Sequence, residues 1–132
     1  FYAASRWNLG LREYAEQADD AILRVMMLES KAAVDNAEEI MAVEGIDVAF
    51  LAPFDLSQSL GVPGQLDSPV YLEALETLEA AVDKSDAVLG TLVMDGDAAK
   101  AKMARGYKFL ILSLDIAILE GGARELLEST KS

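Results

Sequence analysis

The chain contains no cysteine and no histidine. Without cysteine there are no disulfides, no zinc–thiolate sites and no thiol nucleophile, and a cytoplasmic location is the expectation. Without histidine, no Ser-His or Cys-His pair can exist within the chain, and no imidazole can ligate a metal. No apolar run approaches the roughly 18 to 20 residues of a spanning helix, so no membrane partner is expected. The opening stretch FYAASRWNLG lacks a basic region followed by an apolar one, so no signal peptide is expected. Basic residues are also scarce: 11 Lys and Arg stand against 23 Asp and Glu, a net charge of −12. Such a surface repels phosphate backbones and argues against a nucleic-acid partner; its plain meaning is solubility. Any chemistry must therefore run on carboxylates, lysines, backbone amides or groups from elsewhere.

What is present suffices for one ordinary domain: 132 residues, 52% of them hydrophobic. Short apolar runs alternate with amphipathic stretches. Residues 11–18 (LREYAEQA) read as a helix closed by Asp19-Asp20, and 21–28 (AILRVMML) as a strand ending at Glu29. Residues 31–43 have helical spacing with Gly45 placed to end them, and 46–52 (IDVAFLA) form the next strand, stopped by Pro53. A turn-rich segment, 59–69, leads to Ser68-Pro69, an N-cap and first-turn proline, and a helix to about Val82. Strands follow at 87–94 and 107–115, separated by a short helix over 95–106, and the remainder reads as helix. Continuous apolar strands separated by helices mean a parallel sheet covered by helices. Right-handed crossovers leave a doubly wound sheet or a barrel segment. Four βα units are half of an eight-stranded barrel, which takes about 250 residues to close.

In parallel α/β folds, active sites lie at the C-terminal ends of the strands. The polar residues falling there are Glu29, Asp55, Asp95, Ser113 and Asp115. An acidic residue at a strand end more often caps a helix or is solvated. Asp95 fits that reading, since it or Asp97 would cap the helix at Ala98, and Asp115 would cap the last helix. Glu29 fits it less well, because glutamate is a poor cap and here directly ends an apolar run. If the first two strands pair, about 4.8 Å apart, Glu29 and Asp55 converge above the sheet. Two carboxylates plus water form a hard oxygen site suited to Mg²⁺ or Mn²⁺. The free amides at the start of the helix opened by Pro53 suit a substrate carboxylate.

Two other features read as structural. GVPGQL lacks the spacing and the lysine of a phosphate loop and reads as a turn, and Gly121-Gly122 reads as a kink or close packing. A Schiff-base lysine is disfavoured. Lys108 sits at the wrong end of its strand, Lys31 starts a helix, and the other lysines lie in helices or their connections.

At these residues the chain resembles the HpcH/HpaI aldolase family, the class II pyruvate-type aldolases related to 4-hydroxy-2-oxoheptanedioate aldolase. ASRWN (4–8) with Tyr14 resembles the segment after that family's fourth strand. VMMLES (25–30) resembles its Val-Gln-Ile-Glu-Thr strand, and GIDVAFLAPFDLSQSLGVPGQ (45–65) its most specific signature. The strands ending at Met94 and Asp115 match its last two. The resemblance implies the C-terminal half of a (β/α)₈ TIM barrel, with residues 1–132 as a single partial domain. It implies Glu29 and Asp55 as the ligands of a divalent metal (Mg²⁺, Mn²⁺ or Co²⁺). The amides around Phe54 and Asp55 would hold the carboxylate of pyruvate, with Met27 also at the substrate.

The implied activity is cleavage or formation of 4-hydroxy-2-oxo acids through a pyruvate enolate, with an aldehyde as second substrate. An oligomer of like chains is implied as well. Three departures bear on specificity. Met27 stands where the family commonly has glutamine, Ala52 replaces a glycine, and Phe54 replaces a small residue. The family's histidine base and substrate-binding arginine belong to its N-terminal half, and Arg6 does not match that arginine by position. No catalytic residue is therefore assigned in this chain, and the isolated chain is expected to lack substantial activity. The alternatives are a lyase of the citrate lyase β or malyl-CoA type, or a non-catalytic, degenerate half-barrel that self-associates through its strand edges.

Overall fold

The computed structural model describes residues 2–131, and its helices and strands alternate along the chain. In order they are α1 (Tyr2–Arg6), α2 (Leu11–Ala21), β1 (Val25–Leu28), α3 (Lys31–Asp35), α4 (Ala37–Met41) and β2 (Val48–Leu51). Then come α5 (Pro53–Ser59), α6 (Pro69–Val82), β3 (Val88–Val93), α7 (Gly96–Ala104), β4 (Phe109–Leu112) and α8 (Asp115–Ser129). The strands form one parallel sheet in the order β1-β2-β3-β4. Sequence order thus equals spatial order, as in a barrel wall, and no switch point divides the sheet. No described helix is long and apolar enough to cross a membrane.

The core lies between the outer face of the sheet and helices α3 to α6. Leu28, Leu51 and Leu89 project from the strands onto Leu56, Leu75, Leu78 and Val82, all nearly inaccessible to water. Burying one such leucine stabilises the fold by about 1.5–3 kcal/mol. On the opposite face Gly90 lies level with Phe50 and Phe109, whose rings meet edge to face with centroids 6.2 Å apart. β2 is buried along its whole length, whereas β1 and β4, at the two margins, are largely exposed.

Several boundaries differ from those expected. The first strand begins at Val25 rather than Ala21, because α2 continues through Ala21 and Ile22 turns the chain extended. The helix expected over 31–43 is two short helices. Asn36 leaves helical geometry (φ −117°, ψ 21°), and its side-chain amide donates to the Ala32 carbonyl at 2.8 Å. Gly45 (φ +88°) closes the turn after α4 instead of ending the helix itself. The fourth strand is confined to 109–112, cut short where Ser113 adopts φ +63°. Asp115 is the first residue of α8 rather than its cap, a position held by Leu114. Gly121 and Gly122 lie inside an uninterrupted α8 with nothing close to them, so neither kink nor close packing explains them. The short α1 had no sequence signal.

Candidate functional site

β1 and β2 pair in parallel, with Leu28 level with Leu51, so Glu29 and Ala52 leave the sheet side by side at its C-terminal end. Two further hydrogen bonds tie the departing segments together. The Ala52 amide donates to the Leu28 carbonyl at 3.4 Å, and the Lys31 amide donates to Ser59 Oγ at 3.0 Å. Ser30 caps α3 by accepting from the Ala33 amide at 3.1 Å, which sets Glu29 in the loop just before the cap. Pro53 opens α5, placing Asp55 in its first turn, where a negative charge suits the helix dipole. Ala52, the N-cap, offers no side-chain acceptor, so the first amides of α5 are uncapped.

Glu29 and Asp55 are both exposed, and neither side chain is engaged by a cation or an N–H donor among the described residues. The other acidic candidates are occupied. Asp95 Oδ1 accepts from the amides of Asp97 (3.0 Å) and Ala98 (2.8 Å), the capping role expected of it. Asp115 accepts from the Ile116 amide at 2.7 Å. Among the described residues no group of three or more acidic side chains is arranged to hold a metal ion. Two carboxylate oxygens with room for water around them fit a hard divalent cation and leave most of its shell to other donors.

Met27 projects from the same face of the sheet as Phe50 and Gly90, half exposed, two residues before Glu29. Phe54 is 48% exposed and, with Pro53, Met94 and Asp95, borders an open cleft of about 420 Å³ running between α6 and α7. Neither Glu29 nor Asp55 lines that cleft. Lys31 Nζ lies in the first turn of α3, paired with both oxygens of Asp35 at 2.6 and 2.7 Å. GVPGQL is a turn, with Gly61 (φ +78°) and Gly64 (φ +71°) in left-handed conformations, pinned by the Gly64 amide donating to buried Ser57 Oγ.

One polar cluster carried no sequence signal. Glu79 on α6 accepts from Arg105 at 2.5 Å and from the Tyr107 hydroxyl at 2.6 Å. Lys102 Nζ lies 4.6 Å from the centre of the Tyr107 ring. Burial first, then the Glu79 carboxylate, pushes the Tyr107 phenol far above its ordinary range. Burial lowers Lys102. The partners are 26 and 28 residues apart in the chain, so no local pattern could have joined them.

Comparison with known proteins identifies the family and the fold. The family model for HpcH/HpaI aldolase/citrate lyase matches residues 8–120. The 2-keto-3-deoxy-L-rhamnonate aldolase of Escherichia coli (strain K12) is 33% identical over 129 residues, covering 98% of this chain and 48% of that protein. A solved structure of an HpcH/HpaI aldolase/citrate lyase family protein from Burkholderia cenocepacia J2315 superimposes with a TM-score of 0.86 at 29% identity. That match covers 95% of this chain and 49% of the other. Citrate synthase SbnG is similar over 92% of this chain and 49% of its own, with a TM-score of 0.82 and 25% identity. The chain thus spans about half the length of the curated relatives it matches. Its four consecutive parallel βα units are half of a (β/α)₈ barrel.

Proposed function

The chain belongs to the HpcH/HpaI aldolase/citrate lyase family, and from that premise we propose that it is the metal-binding part, a single partial domain, of a class II, metal-dependent aldolase. The reaction is cleavage or formation of 4-hydroxy-2-oxo acids through a pyruvate enolate. One observation carries the reading: Glu29 and Asp55 leave neighbouring, directly paired strands at the same end of the sheet, and among the described residues no other group engages either.

Glu29 and Asp55 would hold Mg²⁺, Mn²⁺ or Co²⁺ between them. Such an ion supplies Lewis-acid stabilisation of the negative charge that develops on the 2-oxo oxygen. The first amides of α5, at Phe54 and Asp55, receive the substrate carboxylate. Met27 presents a thioether on the substrate side, so it packs against the substrate and donates no hydrogen bond. With no histidine in the chain, proton transfer at the aldehyde-derived hydroxyl has no imidazole to serve it. The isolated chain therefore binds without substantial turnover. Its partners are a 2-oxo acid such as pyruvate, an aldehyde, and further copies of itself.

The test is calorimetric titration of Mn²⁺ into the chain and into Asp55→Ala, with and without pyruvate. Binding that disappears in the variant and strengthens with pyruvate is the expected result. Equal heats from both proteins would mean that the carboxylates do not act together, leaving a non-catalytic half-barrel. A second reading, a lyase of the citrate lyase β or malyl-CoA type, draws on the family's own description and on the likeness to citrate synthase SbnG. It requires a basic patch for the CoA phosphates. Binding of a CoA thioester by this acidic chain would favour it over the aldolase.

A further inference from the structure

The helical layer has a gap over the middle of the sheet. On one flank α6 packs against α3 and α4, whereas on the other it and α7 scarcely touch. Ala98 and Ala101, one turn apart on α7, present only methyl groups to this gap. Arg105, just past the end of α7, reaches across to Glu79 of α6 and closes it at one end. The result is the cleft of about 420 Å³, within the range of small-molecule sites. Its floor is β3, a strand paired on both sides, with Thr91 and Val93 buried.

The cleft is polarised along its length. At the C-terminal ends of the strands its mouth is bordered by the exposed side chains of Phe54 and Met94. Leu72 and Leu75 line its side, and Lys102 and Arg105 lie at the far end. Between Asp95 and Lys102 the helix advances about 10 Å, the length of an extended medium-chain fatty acid.

The two cations differ. Arg105 pairs with one oxygen of Glu79, and the Tyr107 hydroxyl donates to the other. Both acceptors nearest that end are thus engaged. Lys102 Nζ lies over the Tyr107 ring, and among the described residues no carboxylate or carbonyl oxygen bonds to it. It is partly buried, and burial lowers its pKa. An ammonium so placed gains from an anion that supplies a charge-assisted hydrogen bond. The net charge of −12 opposes any anion at a distance, yet salt screens that field within about 8 Å. Asp95, at the opposite end, keeps a carboxylate head away from the mouth.

We propose that this cleft binds an amphipathic monocarboxylate of the medium-chain fatty acid class, its carboxylate on Lys102 and its chain running along Leu75 and Leu72 toward Met94 and Phe54. Neither Glu29 nor Asp55 lines the cleft, so the inference is independent of the metal and is tested with a chelator present throughout.

The probes are butanoate, hexanoate and octanoate, titrated calorimetrically into the chain. Affinity should rise about fourfold per added methylene. Octanol, which lacks the charge, should bind about tenfold more weakly than octanoate. Lys102→Met keeps the stem and removes the charge, and should weaken octanoate by a similar factor. Ala101→Phe, at an exposed position, fills the cleft and should abolish binding. Amide shifts on adding octanoate should centre on Leu72, Ala98 and Ala101. The shift map and the octanol comparison use the parent chain, so they stand even where a variant fails to fold. Absence of saturable binding overturns the proposal, as does octanol binding as tightly as octanoate or equal affinity in either variant. Shifts centred on α8 or β4 overturn it too, since octanoate would then only be coating exposed apolar surface.

Discussion

Gly90→Ala should destabilise the fold although it removes a glycine from a strand. Gly90 lies in β3, paired on both sides, and a Cβ placed there would stand 2.8 Å from Val48 Cγ1. It would also stand 3.1 Å from Phe109 Cδ1 and 3.2 Å from the Phe109 carbonyl oxygen. Val48 is 2% exposed and has no free space to retreat into, and the carbonyl belongs to the sheet ladder. Overpacking of this kind costs about 1–3 kcal/mol. Against it stands the gain from restricting the unfolded chain, about 0.5–1 kcal/mol. The net loss is then about 0–2.5 kcal/mol, centred near 1 kcal/mol. Urea unfolding reads it as a lower midpoint at unchanged slope, shifted by roughly 0.5 M at that centre and by at most about 1.2 M, for an m-value of about 2 kcal/mol/M. The clash is specific, so Val48→Ala should absorb it. Introducing Gly90→Ala into the Val48→Ala background should cost clearly less than in the parent chain. A higher midpoint for Gly90→Ala, or the same cost in both backgrounds, would refute the argument that the missing side chain makes room for Val48 and Phe109.

Two other perturbations follow from the polar contacts. Ser57 is fully buried; its hydroxyl donates to the Phe54 carbonyl at 2.7 Å and accepts from the Gly64 amide at 2.9 Å. Ser57→Ala should cost about 0.5–1.5 kcal/mol and speed amide exchange at Gly64, while unchanged exchange would show that the turn holds itself. Tyr107→Phe should lower stability at neutral pH by about 1–2 kcal/mol, because the bond lost is to a charged carboxylate that keeps only Arg105. The same variant should be less sensitive to alkali. With its folded pKa raised, Tyr107 gives its full stabilisation below the unfolded value of about 10 and loses it as pH climbs from there toward the folded value. Parallel stability–pH curves for parent and variant between pH 9 and 11 would contradict that assignment.

The strands were legible where burial on both faces makes a continuous apolar run, as in 48–51 and 88–93. They were misjudged at the margins. AIL at 21–23 continues the apolar run of β1, yet Ala21 belongs to α2 and Ile22-Leu23 to an exposed link. Composition cannot separate a strand from an apolar linker that awaits a covering surface. The break at Asn36 was hidden for another reason. The apolar spacing of 31–43 runs unbroken through it, and only the side chain's capture of the Ala32 carbonyl reveals the interruption. Glu29 and Asp55 could be named from the sequence because each follows a strand directly. That the strand ends they follow lie side by side depends on β1 pairing with β2, a fact of topology and register.

The two carboxylates are not equally well held. Asp55 follows a strand paired on both sides and sits in a helix whose neighbours Pro53, Leu56 and Ser57 are buried. Glu29 follows a margin strand with one partner, in which only Leu28 is buried. Its position relative to Asp55 rests on the β1–β2 ladder and on the Ala52–Leu28 and Lys31–Ser59 bonds. Whatever pairs with the free side of β1 therefore restricts Glu29 directly and Asp55 hardly at all. A cation bridging the two gains from that restriction, since less ordering remains to be done on binding. By linkage the effect is reciprocal: the cation must favour the state in which β1 is paired by the same factor. Ser59→Ala, which removes the Lys31–Ser59 bond nearest Glu29, should therefore weaken Mn²⁺ binding at the proposed carboxylate pair in calorimetric titration, and unchanged binding would show that the β1–β2 ladder alone sets Glu29.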